Sequence, residues 1–257
     1  MNSADITRLS HASAARQVAV EVVQETGSTN ADLLARAPAL AHNLLLVALQ
    51  QTAGRGRAGR SWLSSEGSLT FSLAWKFRLP LHALAGLPLA VGVALAETLA
   101  RLDVRVQLKW PNDLLKDGAK LAGVLIETQS AADGALWAVI GVGMNLTMPD
   151  ELEQRIGRPA AGAPWLASME RAALVAALLD QLAASMQQFE QAGFAAFSAR
   201  WNRLHAWQGN QVAIIDQGAT LQEGTAAGVD DRGALLLDTA AGRVAIVAGD
   251  VSLRVLA

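Results

Sequence analysis

Alternation of apolar and polar positions is the clearest signal along the chain. In VRVQLKW (104–110), Val104, Val106, Leu108 and Trp110 take one set of alternate positions, and Arg105, Gln107 and Lys109 take the other. Successive strand side chains point to opposite faces, so this pattern predicts a half-buried strand. Pro111 has no N–H to donate and ends it. Leu69, Phe71, Leu73 and Trp75 alternate in the same way within LTFSLAWKF (69–77). VAVEVVQ (18–24) and LLLVALQ (44–50) are compact apolar runs that read as strands. KLAGVLIET (120–128) and ALWAVIGVGMNL (135–146) flank Asp133-Gly134, a hairpin turn signal, and predict an antiparallel pair. Helical stretches are fewer. Gly27-Ser28-Thr29-Asn30 opens a short helix over ADLLARA, and Ser168 to about Trp201 is helical with a break at Gly193. The most apolar stretch, Leu79 to Leu102, is interrupted by Pro80, His82, Pro88, Glu97 and Arg101. A membrane span needs roughly 20 predominantly apolar residues. This stretch therefore predicts a buried core helix from near Pro88.

Residues 1–18 are polar and rich in Ala and Ser and read as a loose end; 149–165, rich in Gly, Pro and Ala, reads as a mobile connection. After Trp207-Gln208-Gly209 the pattern changes to short strands about ten residues apart, the spacing of a small all-β domain. The expected organisation is a flexible segment over 1–19, an α+β domain over 20–205 and a small β domain over 206–257.

Composition narrows the function classes. Of 257 residues, 52% are hydrophobic and 17% charged, too apolar for a disordered chain. The 21 basic residues are outnumbered by 23 acidic ones, so a surface that binds polyanions wholesale is disfavoured and any basic site must be local. With no cysteine, disulfides, thiolate metal sites and a cysteine nucleophile are excluded. His11, His42, His82 and His205 lie far apart without metal-ligand spacing. MNSADITRLSHASAARQ lacks the apolar core of a signal peptide, so a cytoplasmic location is the expectation.

Gly54-Arg55-Gly56-Arg57-Ala58-Gly59 matches the dinucleotide pattern G-x-G-x-x-G after an apolar strand. The confirming context is missing: RSWLSSEGS follows, with no helical pattern and no βαβ unit. Arg55, Arg57 and Arg60 are more informative. Guanidinium forks bind phosphate and carboxylate, and the glycines let a loop bend over a ligand. The plain alternative is a solvated loop. Three like charges repel, so without a ligand such a loop should be poorly ordered. Ser28, Thr29 and Asn30 are either helix caps or a set of donors and acceptors for a polar ligand. Lys109-Trp110-Pro111-Asn112-Asp113 ends a strand at a turn. Lys120 opens the next strand, and Gly141-x-Gly143-x-Asn145 allows a ligand close to the backbone.

In this order, GSTN (27–30), QTAGRGRAGRSW (51–62), KWPNDLL (109–115), KLAGVLIE (120–127) and GVGMNL (141–146) resemble the biotin protein ligases, and GALLLD (233–238) with GDVSLR (249–254) resembles their SH3-like C-terminal domain. The resemblance implies a class II synthetase-like mixed sheet with helices, followed by a small SH3-like β-barrel. It also implies a two-step reaction: biotin and ATP, with Mg2+, give biotinyl-5′-AMP and pyrophosphate, and the biotinyl group then passes to one lysine of a biotin carboxyl carrier protein. Carried over, Ser28, Thr29, Asn30 and Gln51 line the biotin pocket. Arg55, Gly56 and Arg57 belong to the loop that folds over the ligand, with Trp62 packed against it. Lys120 reaches the biotin carboxylate and the adenylate phosphate. Lys109 and Asn145 assist on the nucleotide side together with Arg55, Arg57 and Trp62, and Trp165 stacks near adenine. Arg57 and Lys120 are the expected catalytic cations, and Asp113 either orients Lys120 or acts as base. No protein metal ligand is implied.

Some relatives carry an N-terminal DNA-binding helix-turn-helix. Only about 20 residues precede the catalytic part here, so a ligase without DNA binding and without a membrane partner is expected. Pairing of two copies through sheet edges stays open. Two alternatives remain: a ligase for lipoate or octanoate, whose chains cannot use the paired polar groups a ureido ring requires, and a non-catalytic binding module, which would need no phosphate site.

Overall fold

The computed structural model describes all residues except 132, 158, 217, 248–250 and 257, and excepting the side chain at 152. Seven strands form the larger sheet: β1 (Ala19–Thr26), β2 (Leu44–Gln51), β3 (Ser68–Phe77), β4 (Gln107–Lys109), β5 (Asp113–Lys116), β6 (Ala119–Ser130) and β7 (Leu136–Asn145). Their order is β1-β2-β3-β7-β6-β5-β4. β1 and β2 are parallel and every other neighbour is antiparallel, which makes the sheet mixed. A parallel pair needs a crossover; here the connection contains α2 (Thr29–Arg36).

Strand alternation sorts the two faces. Ala138, Ile140, Val142 and Met144 of β7 enter the main core, with Phe71 and Leu73 of β3 and Val124 of β6. That core is closed by α3 (Leu87–Arg101) and α6 (Arg171–Ala192). On the opposite face Trp137 and Val139 pack under α2 with Leu33, Ala37, Leu44 and Leu46. The next two positions on that face are Gly141 and Gly143, so beyond α2 the sheet lies bare. The apolar segment Leu81–Arg101, with mean hydropathy 1.8, is long and apolar enough to cross a membrane, but 72% of it is buried inside the fold, as expected of a core helix.

Three stretches depart from expectation. The N-terminal residues are packed, not loose. α1 (Ser3–Leu9) is capped by Asn2, whose Oδ1 accepts from the Asp5 N–H at 2.9 Å, and Ile6 is fully buried. The Asp180 carboxylate on α6 accepts from the backbone N–H groups of His11 and Ala12 at 2.9–3.0 Å. Ile6, with Ala14 and Ala15 beside it in the core, and the Asp180 carboxylate hold a segment whose composition is polar. In 104–110, β4 pairs only over Gln107–Lys109, although Val104, Val106, Leu108 and Trp110 are all 7% exposed or less. The faces are as read, but the ladder is shorter. In 149–165, α4 (Asp150–Ile156) and α5 (Pro164–Ser168) flank a tether: Ala161 N–H donates to Lys120 O at 2.8 Å, and Ala163 N–H to Leu146 O at 2.9 Å.

α6 ends at Gly193 and α7 (Ala195–Leu204) leads into β8 (Gln211–Asp216), β9 (Ala219–Val229), β10 (Leu235–Thr239), β11 (Gly242–Ile246) and β12 (Ser252–Val255). These form an antiparallel sheet in the order β11-β10-β9-β8-β12; no pairing joins β11 to β12 among the described residues, so no closed barrel is formed there. Gly249 and Asp250 of the C-terminal motif lie outside the described residues. This sheet is fastened to the larger one. Trp110 Nε1 donates to Gly233 O at 3.2 Å, Asn202 exchanges two hydrogen bonds with Val229, and Ser198 donates to Asp231 at 2.6 Å. His205 sits in this joint, 5% exposed, stacked at 4.7 Å on Trp201, with Nδ1 at 3.2 Å from Gln208 Oε1.

Two predictions follow from this packing. Ile6→Ala should destabilise the protein by about 2–4 kcal/mol, read as a lower denaturant midpoint; a loose N-terminus would give no change. Burial pushes the His205 imidazole below its ordinary value of 6.5. The folded state thus favours the neutral ring, and stability is lost as falling pH protonates the unfolded chain first. His205→Gln should show a smaller drop in thermal midpoint than the parent between about pH 7.5 and about pH 5.5; superimposable profiles would refute this.

Candidate active site

The site lies on the bare strip of the large sheet, at the N-terminal end of α2. Ser28 caps that helix by accepting from the Ala31 N–H at 3.4 Å, the ordinary role of a serine there. Thr29 and Asn30 are buried and turn toward the sheet. The Thr29 N–H donates to Gln51 Oε1 at 2.8 Å, and Thr29 Oγ1 meets Ser72 Oγ at 2.7 Å. Ser72 donates to Asn30 Oδ1 at 2.8 Å, and Asn30 Nδ2 donates to Glu127 Oε2 at 2.8 Å. The glycine floor is needed for this approach. A Cβ at Gly141 would lie 2.4 Å from Asn30 Oδ1, and one at Gly143 would lie 2.4 Å from the Trp62 ring.

The Gly/Arg segment forms a tight hairpin over this floor. Trp62 N–H donates to Gly54 O at 2.9 Å and Gly56 N–H to Arg60 O at 2.6 Å, with Ala58 and Gly59 at the tip in positive φ (53° and 68°). The glycines therefore serve a hairpin and not a strand-to-helix phosphate turn. The clustered charge is offset, because the cations have partners. Arg55 Nη2 is 2.7 Å from Glu127 Oε1, and Arg57 Nη1 donates to Asn112 Oδ1 at 3.2 Å. Asn112 is held in turn by donating to Val124 O at 2.7 Å.

Lys120 Nζ forms a close ion pair with Asp113 Oδ1, both side chains mostly buried, and lies 6.0 Å from the Trp62 ring centroid. Lys120 and Trp62 stand between two cavities and line both. The first, about 70 Å3, is lined by Thr29, Asn30, Gln51, Arg55, Arg57 and Ser72, with Asp113 beside Lys120. The second, about 400 Å3, is lined by Arg60, Asn145, Arg155, Ile156 and Arg254. Trp62 Nε1 is buried without a hydrogen-bond partner, an unmet donor on this partition. The first space sets small neutral polar groups at one end and Arg55, Arg57 and Arg60 around them, and Arg60 lines the second as well. Three arginines from three separate elements converge on the second. The pair suits a polar neutral head and a polyanion whose reactive ends meet at Lys120.

Residues 20–145 match the biotin/lipoate A/B protein ligase family, and residues 209–254 match the biotin protein ligase C-terminal domain. Over 243 residues the chain is 34% identical to the bifunctional ligase/repressor BirA of Escherichia coli, covering 91% of this chain and 74% of that one. Over 244 residues it is 35% identical to the biotin–[acetyl-CoA-carboxylase] ligase of Mycobacterium tuberculosis, covering 90% of this chain and 88% of that one. This chain belongs to the biotin protein ligase family. Among solved structures it is similar to the biotin protein ligase of Aquifex aeolicus in complex with biotin and ATP, with TM-score 0.77, 27% identity, and 92% of this chain and 99% of that one covered.

Within this biotin protein ligase fold, the expected residues divide. Ser28, Thr29, Asn30, Gln51, Arg55, Gly56, Arg57, Trp62, Asp113 and Lys120 all line the first cavity, and Asn145 lines the second. Lys109 and Trp165 line neither. Lys109 Nζ sits 5.0 Å over the Trp207 ring at the joint with the C-terminal sheet: its position pairs with Asp113 and shares the floor's face, but it stands on the edge strand β4, beyond the cavities. Trp165, on the short helix α5, is 63% exposed. Sequence reasoning missed Glu127, Ser72, Arg155 and Arg254. Glu127 had a signal: it is an acid within an otherwise apolar strand, on the same face as Gly123. Arg155 and Arg254 had none, since only the fold brings α4 and β12 to Lys120.

Gly143→Ala should displace Trp62 and loosen the hairpin, read as faster tryptic cleavage at Arg55, Arg57 and Arg60. Gly27→Ala, where nothing lies within 4 Å of an added Cβ, should cleave like the parent. Equal rates in all three proteins would contradict the packing argument.

Proposed function

We propose that this chain is an ATP-dependent biotin protein ligase that forms biotinyl-5′-AMP and transfers the biotinyl group to a lysine of a biotin carboxyl carrier protein. The supporting observation is the pair of cavities meeting at Lys120 and Trp62. Biotin takes the first, its ureido ring toward Thr29, Asn30 and Gln51 and its carboxylate toward Lys120 and Arg57. The nucleotide takes the second, its phosphates toward Arg60, Arg155 and Arg254, with Asn145 alongside.

In the first step a carboxylate oxygen attacks the α-phosphorus, and the bond to pyrophosphate breaks. Two anions must approach, so fixed cations at the meeting point lower the barrier most as charge builds there. Lys120 stands at that point, and Asp113 keeps its ammonium aimed across the partition. Since that carboxylate is engaged with Lys120, we assign Asp113 an orienting role in preference to a base role. In the second step the neutral amine of the carrier lysine attacks the acyl carbon and AMP departs. The 54–62 hairpin covers the first cavity and would shield the reactive adenylate from water. Among the described residues no three His, Asp or Glu side chains cluster as a metal cage. Mg2+ characteristically keeps several waters and binds substrate phosphates, so we assign it to the triphosphate and name no protein ligand. With a net charge of −2, we propose a cytoplasmic enzyme with no DNA-binding role.

Biotin should drive exchange of pyrophosphate into ATP, and lipoate should not. Arg57→Ala and Lys120→Ala should each reduce exchange by about 100- to 1,000-fold. Exchange with lipoate alone would keep the chemistry and overturn the substrate; tight biotin binding without exchange would reduce the protein to a binding module.

A further inference from the structure

Glu127 touches both halves of the site. One carboxylate oxygen accepts from Asn30 Nδ2 at 2.8 Å and the other from Arg55 Nη2 at 2.7 Å. Asn30 is 4% exposed and the Glu127 side chain 21%, so their bond is largely withdrawn from water, whereas the Arg55 side chain, 47% exposed, meets Glu127 at the rim. A carboxylate only accepts. Asn30 must therefore turn its NH2 group toward Glu127 and its oxygen the other way. Ser72 then has to donate to that oxygen, while the single proton of the Thr29 hydroxyl is shared between Gln51 Oε1 at 3.0 Å and Ser72 Oγ at 2.7 Å. The protons of Ser72 and of the Asn30 amide point toward Glu127. The remaining acceptor capacity of Asn30 Oδ1 falls at the Gly141 floor of the cavity, where a ligand N–H can meet it.

We propose that Glu127 is a positioning residue that sets this hydrogen-bond polarity, so that the pocket selects a ligand head carrying an N–H donor, and that it couples the choice to closure of the 54–62 hairpin through Arg55. The inference rests on the biotin reading of the first cavity and adds a specificity determinant to it. A ureido ring supplies the required N–H; an alkyl chain or dithiolane does not. Glu127 contacts neither ligand nor reacting atoms in this scheme, and acts through Asn30 and Arg55.

The test compares the parent, E127Q and the double variant N30D/E127Q, with thermal melts confirming folding. In E127Q the amide at 127 can donate to Asn30, which frees Asn30 to turn round. KM for biotin in pyrophosphate exchange should rise about tenfold or more, the worth of a buried hydrogen bond to a charged group, with kcat changed much less. Tryptic cleavage at Arg55, Arg57 and Arg60 should quicken. In the double variant the amide donates to a carboxylate at 30, which again turns an acceptor to the floor, so KM should fall back toward the parent value. An unchanged KM and unchanged cleavage in E127Q, or a double variant no better than E127Q, would overturn the proposal. If the parent itself shows no biotin-dependent exchange, the substrate reading fails instead, and the cleavage rates of the three proteins still decide whether Glu127 governs the hairpin.

Discussion

A β-sheet that buries one face completely must decide what to do with the other, and in this protein the decision is made along β7. Trp137 and Val139 fill the space beneath α2, and the next two positions on the same face are Gly141 and Gly143. Removing those side chains opens the only kind of surface on which buried polar groups can be brought against a ligand without a wall of methyl groups between them. Asn30 and Trp62 occupy the volume that Cβ atoms would have taken. The polar row of Thr29, Ser72, Asn30 and Glu127, the hairpin and the partition between the cavities all presuppose that bare strip.

Polar groups placed on such a floor are costly unless each is satisfied. Apart from the Trp62 indole N–H, the arrangement meets that condition largely by pairing each acid with a cation. Glu127 neutralises Arg55, and Asp113 neutralises Lys120. Each pair joins two separate segments of chain, so the same contacts that offset charge burial also fix relative position. The hairpin is for this reason tied to β6 rather than left as a repelling cluster of arginines. A biotin protein ligase must hold a hydrolysable adenylate away from water, and a charge-paired cover is one that can be both ordered and reopened.

Much of this could be read in the sequence. Short-range patterns sufficed wherever one strand or one helix carries the information: the alternation of 69–77, the hairpin signal at Asp133-Gly134, the break at Gly193. Several residues of the first cavity were legible because they are contiguous, as in Ser28-Thr29-Asn30 and Arg55-Gly56-Arg57. What escaped was set by tertiary contact. Lys109 and Lys120 are both strand lysines on one face of the sheet, yet Lys109 stands on the edge strand against Trp207, and Lys120 is the one that lines the cavities. The N-terminal segment has the composition of a loose end and is held by Ile6 and by Asp180, a partner 169 residues away from His11. The arginines of the second cavity come from α4 and β12, and no spacing rule relates them to Lys120.

The joint between the two sheets gives the C-terminal strands a share in the site. Trp110, whose indole donates to Gly233 O, is followed at once by Asn112 and Asp113, which hold Arg57 and Lys120. Within four residues the chain passes from the contact that seats the second sheet to the contacts that hold Arg57 and Lys120. The same seating brings Arg254 of β12 to the cavity beside Lys120. Displacing the small sheet would therefore act at both ends of the site, withdrawing one arginine from the second cavity and unfastening the strand end that holds Lys120. The sharp change of pattern after Gly209 marks a boundary of folding units in the sequence, but the chemistry is built across it.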